Sequence, residues 1–440
     1  MNWFSRLLRR KEADDGFLFD VSADGETASP WIPVPSAVPP TDDSVDFAAV
    51  GFSSAVGTLL GTGGRHGGRD RRYRQAFTPA QPVSEVRRLA GRTPLIRRVI
   101  RSIEDQDLHV VLYGDRGIGK TSVLKVVQGL ALTAGYLVHY VSCGNSTTFH
   151  EVFRSLAARI PLRYDRDSDP TTSSGDGGGS LADDLPEGAF SVSQLTDILA
   201  RVEGARILLI LDEFDRSDVV DFRLLVGELI KNLSDRSVRV QLLIGGIASN
   251  LSELVAHVPS IRRNIVGIGI PNLTADEVDE MLDIAEAAGN VSFAAKARER
   301  LITVSAGLPY LVGLIGQFAV LEAVDNGDDQ IALKHVDRAV SLSCEEIANR
   351  LSLRCTFGLD KLMVEPLATL IESAAAEATR EGGVIVDQDL TGALLRNHER
   401  LADILEPIAD DPRGGWRFVE DGASSLVWLR KATRASAPVA

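Results

Sequence analysis

Five short, nearly unbroken apolar runs punctuate the middle of the chain: 109–113 (His-Val-Val-Leu-Tyr), 137–142, 206–211 (Arg-Ile-Leu-Leu-Ile-Leu), 238–245 and 265–270. Their length and β-branched content predict strands, and the helical spacing of apolar positions between them predicts a βα alternation. Strands apolar on both faces belong in a parallel sheet covered by helices. Upstream, Val86, Leu89, Leu95, Val99 and Ile103 predict helical segments split by Gly91-Arg92-Thr93-Pro94. After Pro271 the period turns helical, with a capping box at Thr274 and Glu277 opening a helix over 274–288 and two more expected at about 292–304 and 308–323. A mostly helical region follows from about Leu333. Its end, 415–419 and 425–429 around Glu420-Asp421-Gly422, is expected to close as a β-hairpin.

The first eighty residues differ. Trp3/Leu7 and Phe4/Leu8 are four apart, with Arg6, Arg9, Arg10 and Lys11 free to occupy the other side of a short amphipathic basic helix. Three readings stand side by side for it: contact with an anionic membrane surface, docking into a partner groove, or a frayed end. From Lys11 to about Pro82 the abundance of Gly, Pro, Ser and Asp predicts a disordered tether that turns basic at Arg65, Arg69, Arg71, Arg72 and Arg74. A second flexible stretch is expected over Asp165 to Gly188.

At 440 residues, 44% hydrophobic and 25% charged, the chain can bury a full core. A net charge of -14 argues against wholesale wrapping of nucleic acid. Cys143, Cys344 and Cys355 are scattered and His139, His150, His257 and His335 lack ligand spacing, so neither a disulfide framework nor a zinc site is expected. With no apolar run long enough to span a bilayer, the expected location is the cytoplasm, peripheral to a membrane if the N-terminal helix docks there.

The chemistry begins just after the first strand. Gly114-Asp115-Arg116-Gly117-Ile118-Gly119-Lys120-Thr121, followed by Ser122, has the G-x-x-x-x-G-K-[ST] spacing in which backbone N–H groups of a glycine-rich turn face phosphates. Lys120 is placed for the β/γ-phosphates and Thr121 for Mg²⁺. The expected fold is therefore α/β, a P-loop NTPase with a parallel sheet covered by helices, a small helical lid, a winged-helix-like C-terminal region and a disordered N-terminal tether. The predicted boundaries are 1–82 for helix plus tether, 83–271 for the core, 272–330 for the lid and 331–440 for the C-terminal domain. About ninety residues after the loop, Leu208-Leu209-Ile210-Leu211-Asp212-Glu213 ends an apolar strand in two acids. Asp212 is expected to hold the Mg²⁺ shell and Glu213 to orient and deprotonate an attacking water, while Asp215 has no necessary part. The guanine-reading Asn-Lys-x-Asp element does not occur, so ATP is favoured over GTP.

With these two motifs the chain resembles the AAA+ ATPases, specifically the origin-recognition-like branch and the neighbouring STAND NTPases of bacteria, over roughly Leu89 to Phe318. The resemblance implies that Gly91-Arg92 is the box packing beside adenine and that 245–250 is the sensor 1 segment, with Ser249 and Asn250 both candidates for the polar residue. It implies an arginine finger near His257 to Arg263, where Arg263 registers better than Arg262, offered to a neighbouring subunit of a homo-oligomer. Gly307-Leu308-Pro309 stands where a sensor 2 arginine is usual and is similar to the STAND Gly-x-Pro motif, which implies slow, switch-like hydrolysis. Two functions follow: an Mg²⁺-ATP-dependent regulatory switch with a protein partner or effector, or a DNA-associated initiator or loader using a winged helix. Arg413, Arg417, Arg430, Lys431 and Arg434 favour DNA locally, and Glu399, Asp403, Glu406, Asp410, Asp411, Glu420 and Asp421 oppose it.

Overall fold

The computed structural model describes residues 75–167, 179–246, 259–363, 366–408 and 414–436. The five apolar runs form β1 (His109–Tyr113), β2 (Leu137–Ser142), β3 (Ile207–Asp212), β4 (Val240–Gly246) and β5 (Ile265–Gly269). They make one sheet in the order β2-β3-β4-β1-β5, parallel throughout. Parallel strands need crossover connections, so the carboxyl ends of β1 and β3 open on one side of the sheet, with β4 between them.

The strand period of two divides the core. Leu208 and Ile210 of β3 join the cluster containing α1 (Thr93–Glu104) and α2 (Lys120–Thr133). Ile207, Leu209 and Leu211 join the other, containing Phe153 of α3 (Phe149–Ala157), Leu195 of α4 (Val192–Leu199) and Phe222 of α5 (Val220–Asp235). All six residues of β3 are buried, which is why its run reads as unbroken apolar sequence before its terminal acid.

The helices after the sheet are α6 (Ala275–Gly289), α7 (Ala295–Ser305), α8 (Pro309–Asp325) and α9 (Leu333–Arg350). The capping box at Thr274 is present: its side chain accepts from the Glu277 N–H. Then come α10 (Leu353–Leu362), α11 (Leu367–Arg380), α12 (Gln388–Arg396), α13 (His398–Leu401), β6 (Leu405–Pro407), β7 (Trp416–Phe418) and α14 (Ala423–Ser436). Among the described residues no helix is long and apolar enough to cross a membrane.

Three expectations need correction. The terminal hairpin exists, but its arms are β6 and β7, paired Leu405 to Phe418, with Ile385 bridging to Trp416 on the other side. Residues 425–429 are helix instead. Leu426 and Val427 are both fully buried, and strand alternation would send one of these neighbours outward, whereas with Ala423 they fall on one face of α14. The tether does not run to Pro82, because Ala76 and Phe77 are buried, with Phe77 edge-on to Phe293 at 6.2 Å. In the second expected flexible stretch, the turn Leu181–Asp184 is anchored by the buried Leu181 and Leu185. The N-terminal basic helix, the arginines at 65–74 and the glycine-rich centre of that stretch lie outside the described residues. The three cysteines are free thiols.

Candidate functional site

The glycine-rich turn links β1 to α2. Gly117 and Gly119 take φ of +82° and +96°, in the left-handed region open to glycine at little cost. At Gly117 space matters as well, since a Cβ there would be 2.8 Å from Cβ of Tyr310. Lys120 folds back into the turn, its Nζ donating to the carbonyls of Gly114 at 2.8 Å and Asp115 at 3.0 Å. Burial lowers the Lys120 pKa, opposed by the fields of Asp115, Asp215, Asp212 and Asp421. Burial likewise raises the Asp115 carboxyl, although the Arg116 N–H donates to it at 2.8 Å.

Across the opening stand the acids. Asp212 is 2% exposed, and its Oδ2 accepts from the Tyr140 hydroxyl at 2.6 Å while Oδ1 accepts from the Glu213 N–H at 2.9 Å. On the β4 side a Cβ at Gly245 would be 3.0 Å from Asp212 Oδ1 and 2.7 Å from Leu124, so a larger residue would displace the carboxylate. Glu213 sits at φ +53°, a left-handed conformation that costs a non-glycine residue on the order of 1 kcal/mol. Its Oε2 accepts from Ser142 Oγ at 3.3 Å and lies 3.3 Å from Arg216 Nη1. The carboxyl end of β3 is acidic, with Asp212, Glu213 and Asp215 together. Burial first, then Asp212, Asp215 and Glu213, push the Cys143 thiol up to about 12, and burial with the Asp212 hydrogen bond holds the Tyr140 phenol well above its ordinary range.

Loop and acids line a cavity of about 450 Å³, within the usual size of a small-molecule site. Met281, Ile284 and Gly313 of α6 and α8 supply an apolar wall, and the strap Ala76–Val83 supplies another. The strap is tied to the loop by the Val83 N–H donating to Ser122 Oγ at 3.1 Å. Pro309 and Tyr310 start α8 over the loop, where the Tyr310 N–H donates to the Gly117 carbonyl at 3.2 Å.

The structure thus brings together Asp115, Arg116, Gly117, Gly119, Lys120, Thr121, Ser122, Asp212, Glu213 and Pro309. Gly114 and the buried Ile118 complete the turn from behind. Arg92, expected beside the base, is buried away from the cavity lining, its guanidinium reaching the Ile118 carbonyl at 3.4 Å. Desolvation lowers its pKa, opposed by Glu277. Arg88, three residues after Glu85, lines the cavity instead. Arg262 and Arg263 are exposed on the turn Pro259–Arg263 and do not line it. Ser249 and Asn250 lie outside the described residues. Asp215, given no part on sequence grounds, lines the cavity. Tyr140, Tyr310, Asp421 and the strap are further lining or supporting elements that the motifs do not point to. Only Tyr310 carries a signal, by following the Gly-x-Pro motif.

Residues 88–244 match the family described as the AAA ATPase domain. The chain carries an AAA ATPase domain. No curated protein matches it. Solved structures that resemble the chain include Cdc6p from Pyrobaculum aerophilum, 16% identical over 82% of this chain and 97% of that one with a TM-score of 0.45. The Aeropyrum pernix ORC1 protein in complex with DNA is 16% identical over 79% and 93%, TM-score 0.42. The Thermotoga maritima RuvB Holliday junction branch migration motor is 14% identical over 78% and 97%, TM-score 0.37.

The donor set around the cavity fits a magnesium nucleotide. Among the described residues no three or more His, Cys, Asp or Glu side chains are grouped to hold a metal by themselves. Thr121 and Asp212 both lie on the lining as hard oxygen donors, and Mg²⁺ bound with phosphates needs only one or two protein oxygens.

Proposed function

We propose that the protein binds and hydrolyses Mg²⁺-ATP and works as a regulatory switch. The observation that carries this reading is the convergence of Lys120, Thr121, Asp212 and Glu213 on one cavity of nucleotide size. Lys120 leaves the loop carbonyls for the β- and γ-phosphates, and the backbone N–H groups from Gly114 to Ser122 take the remaining oxygens. Thr121 and Asp212 would hold Mg²⁺, and the ion would supply positive charge to the phosphates. Glu213 orients a water and accepts one of its protons as the water oxygen bonds to the γ-phosphorus; the bond to the β–γ bridging oxygen breaks and ADP leaves with that oxygen. Arg92 stiffens the turn, and Pro309 sets the start of α8 against it. Arg263 serves a neighbouring copy as an arginine finger, and Ser249 or Asn250 supplies the polar contact to the γ-phosphate.

The working parts are the core over 83–271, a lid over 272–330 and a winged-helix-like domain over 331–440 built from α11, the Ile385 bridge, α12, α13, the β6–β7 pair and α14. Switching is supported by contacts that link these parts: Arg116 of the phosphate loop pairs with Asp421, and Tyr310, whose N–H donates to the Gly117 carbonyl of that loop, accepts from Arg350 at 2.8 Å. Pairing within the chain also disfavours DNA as the output. Arg417 is paired with Glu406 at 2.7 Å, Arg430 with Asp360 at 2.8 Å and Arg434 with Glu372 at 3.3 Å, so each of these cations has an acidic partner that a phosphate would have to displace. A protein partner fits the C-terminal domain better.

Glu213→Gln tests the reading. Phosphate release should fall by roughly 10² to 10⁴-fold while ATP remains bound. Turnover equal to that of the unaltered protein would reject hydrolysis at this site.

A further inference from the structure

Asp212 is a buried carboxylate with one degree of freedom that its own backbone does not fix. The torsion carrying its two oxygens is broad, so the plane of the carboxylate is set by whatever its oxygens touch. Oδ1 meets the adjacent Glu213 N–H, a contact that travels with the turn. The contact from outside the turn is the Tyr140 hydroxyl, 2.6 Å from Oδ2. Tyr140 stands on the neighbouring strand β2, in register with Ile210, two residues before the Ser142 that registers with Asp212. The strand period puts residues 140 and 142 on the same face, so the phenol reaches along β3 to its end.

The ring of Tyr140 is itself fixed from the far side. Nζ of Lys125 lies 3.3 Å from its centroid, a cation–π contact supplied by α2, the helix that begins at Lys120 and Thr121. The two protein oxygens offered to Mg²⁺ come from different elements, Thr121 from α2 and Asp212 from β3. Lys125 over Tyr140, with Tyr140 on Asp212, joins those elements by a contiguous chain of contacts beside the sheet.

We propose that Tyr140 is a positioning residue for magnesium: its hydroxyl locks the plane of the Asp212 carboxylate, and through Lys125 it holds that carboxylate in fixed relation to Thr121. The inference rests on the reading of Asp212 as a residue of the Mg²⁺ shell. Groups that orient a metal-holding carboxylate in this way set affinity for the ion more than affinity for the organic ligand.

Tyr140→Phe removes one oxygen and keeps the ring under Lys125. Binding of a fluorescent ATP analogue is measured with magnesium chelated and then across a Mg²⁺ titration, for the unaltered protein and the variant. The Mg²⁺ concentration at half-effect should rise by about tenfold in the variant, with magnesium-free binding within about twofold of the unaltered protein. An unmoved Mg²⁺ midpoint overturns the proposal. So does a loss of the same size with and without magnesium, which is what a merely structural tyrosine would produce. Should the unaltered protein itself bind the analogue with no response to Mg²⁺, the parent reading of Asp212 fails and Tyr140 falls with it, an outcome visible before the variant is measured.

Discussion

Nη1 of Arg116, in the phosphate loop, lies 2.9 Å from Oδ2 of Asp421, 305 residues further along the chain. Both side chains are largely exposed, at 68% and 61%, so the pair contributes at most about 1 kcal/mol and breaks easily. Its place gives it meaning. Asp421 also lines the cavity and acts through its field on Lys120 and Asp115, so a negative charge stands where phosphates would arrive. A bound triphosphate would repel Asp421 and compete for Arg116.

Asp421→Asn should therefore tighten ATP binding by about two- to fivefold at low salt, with the gain shrinking as salt is raised. Nucleotide titrations at two ionic strengths measure this. Weaker binding by the variant would mean that Asp421 helps to form the nucleotide site instead of opposing its filling.

The strap yields a second expectation. Phe77 is 3% exposed, and a Cβ on Gly316 of α8 would come within 2.5 Å of its ring, so the ring fills a space that only glycine leaves. Truncation of a buried phenylalanine costs about 3–5 kcal/mol when the site cannot relax, but a strap at the edge of the fold can release locally for less. Phe77→Ala should make the backbone near Gln75 to Pro82 cleavable under limited proteolysis and weaken nucleotide binding through the lost support of Val83 on Ser122. Cleavage no faster than in the unaltered protein would show that the strap is held by other contacts.

Much of this arrangement is legible in the amino-acid sequence. The five strands, their parallel sheet and the three helices after Pro271 are carried by period and length, because buried strands and one-sided helices leave strong local patterns. The loop and its acids are legible because phosphate chemistry demands particular residues at fixed spacing. What escapes a linear reading depends on folding distant segments together. Nothing around Asp421 marks it as a neighbour of Arg116, and Tyr140 looks like any strand aromatic until Asp212 stands beside it. The misassignment at 425–429 has a local cause: Ser-Leu-Val-Trp-Leu has strand propensity, and its packing on α9 and α11 as a helix overrides it.

A third expectation concerns pH. His109 opens β1, is 2% exposed, and accepts the Leu242 N–H on Nδ1 at 3.0 Å, which requires the neutral ring. Burial lowers its pKa from 6.5 to about 4. The unfolded chain then takes up a proton near pH 6.5 that the folded chain refuses, so stability is complete above that pH, falls as pH drops toward 4 and is level below it. The loss attributable to this one group is about 3 kcal/mol. Urea denaturation at pH 7 and pH 5 should show the slope, and His109→Gln should reduce it by up to one proton; an unchanged slope would assign it to other groups.

The most direct test of the central claim is equilibrium dialysis of the purified protein against ATP with and without Mg²⁺, beside Lys120→Ala. The unaltered protein should retain one ATP per chain in a magnesium-dependent manner, and Lys120→Ala should lose at least about tenfold in affinity, as expected for removal of a charged group from phosphate. Equal retention by the two, or no retention by either, would contradict the assignment of this cavity to Mg²⁺-ATP.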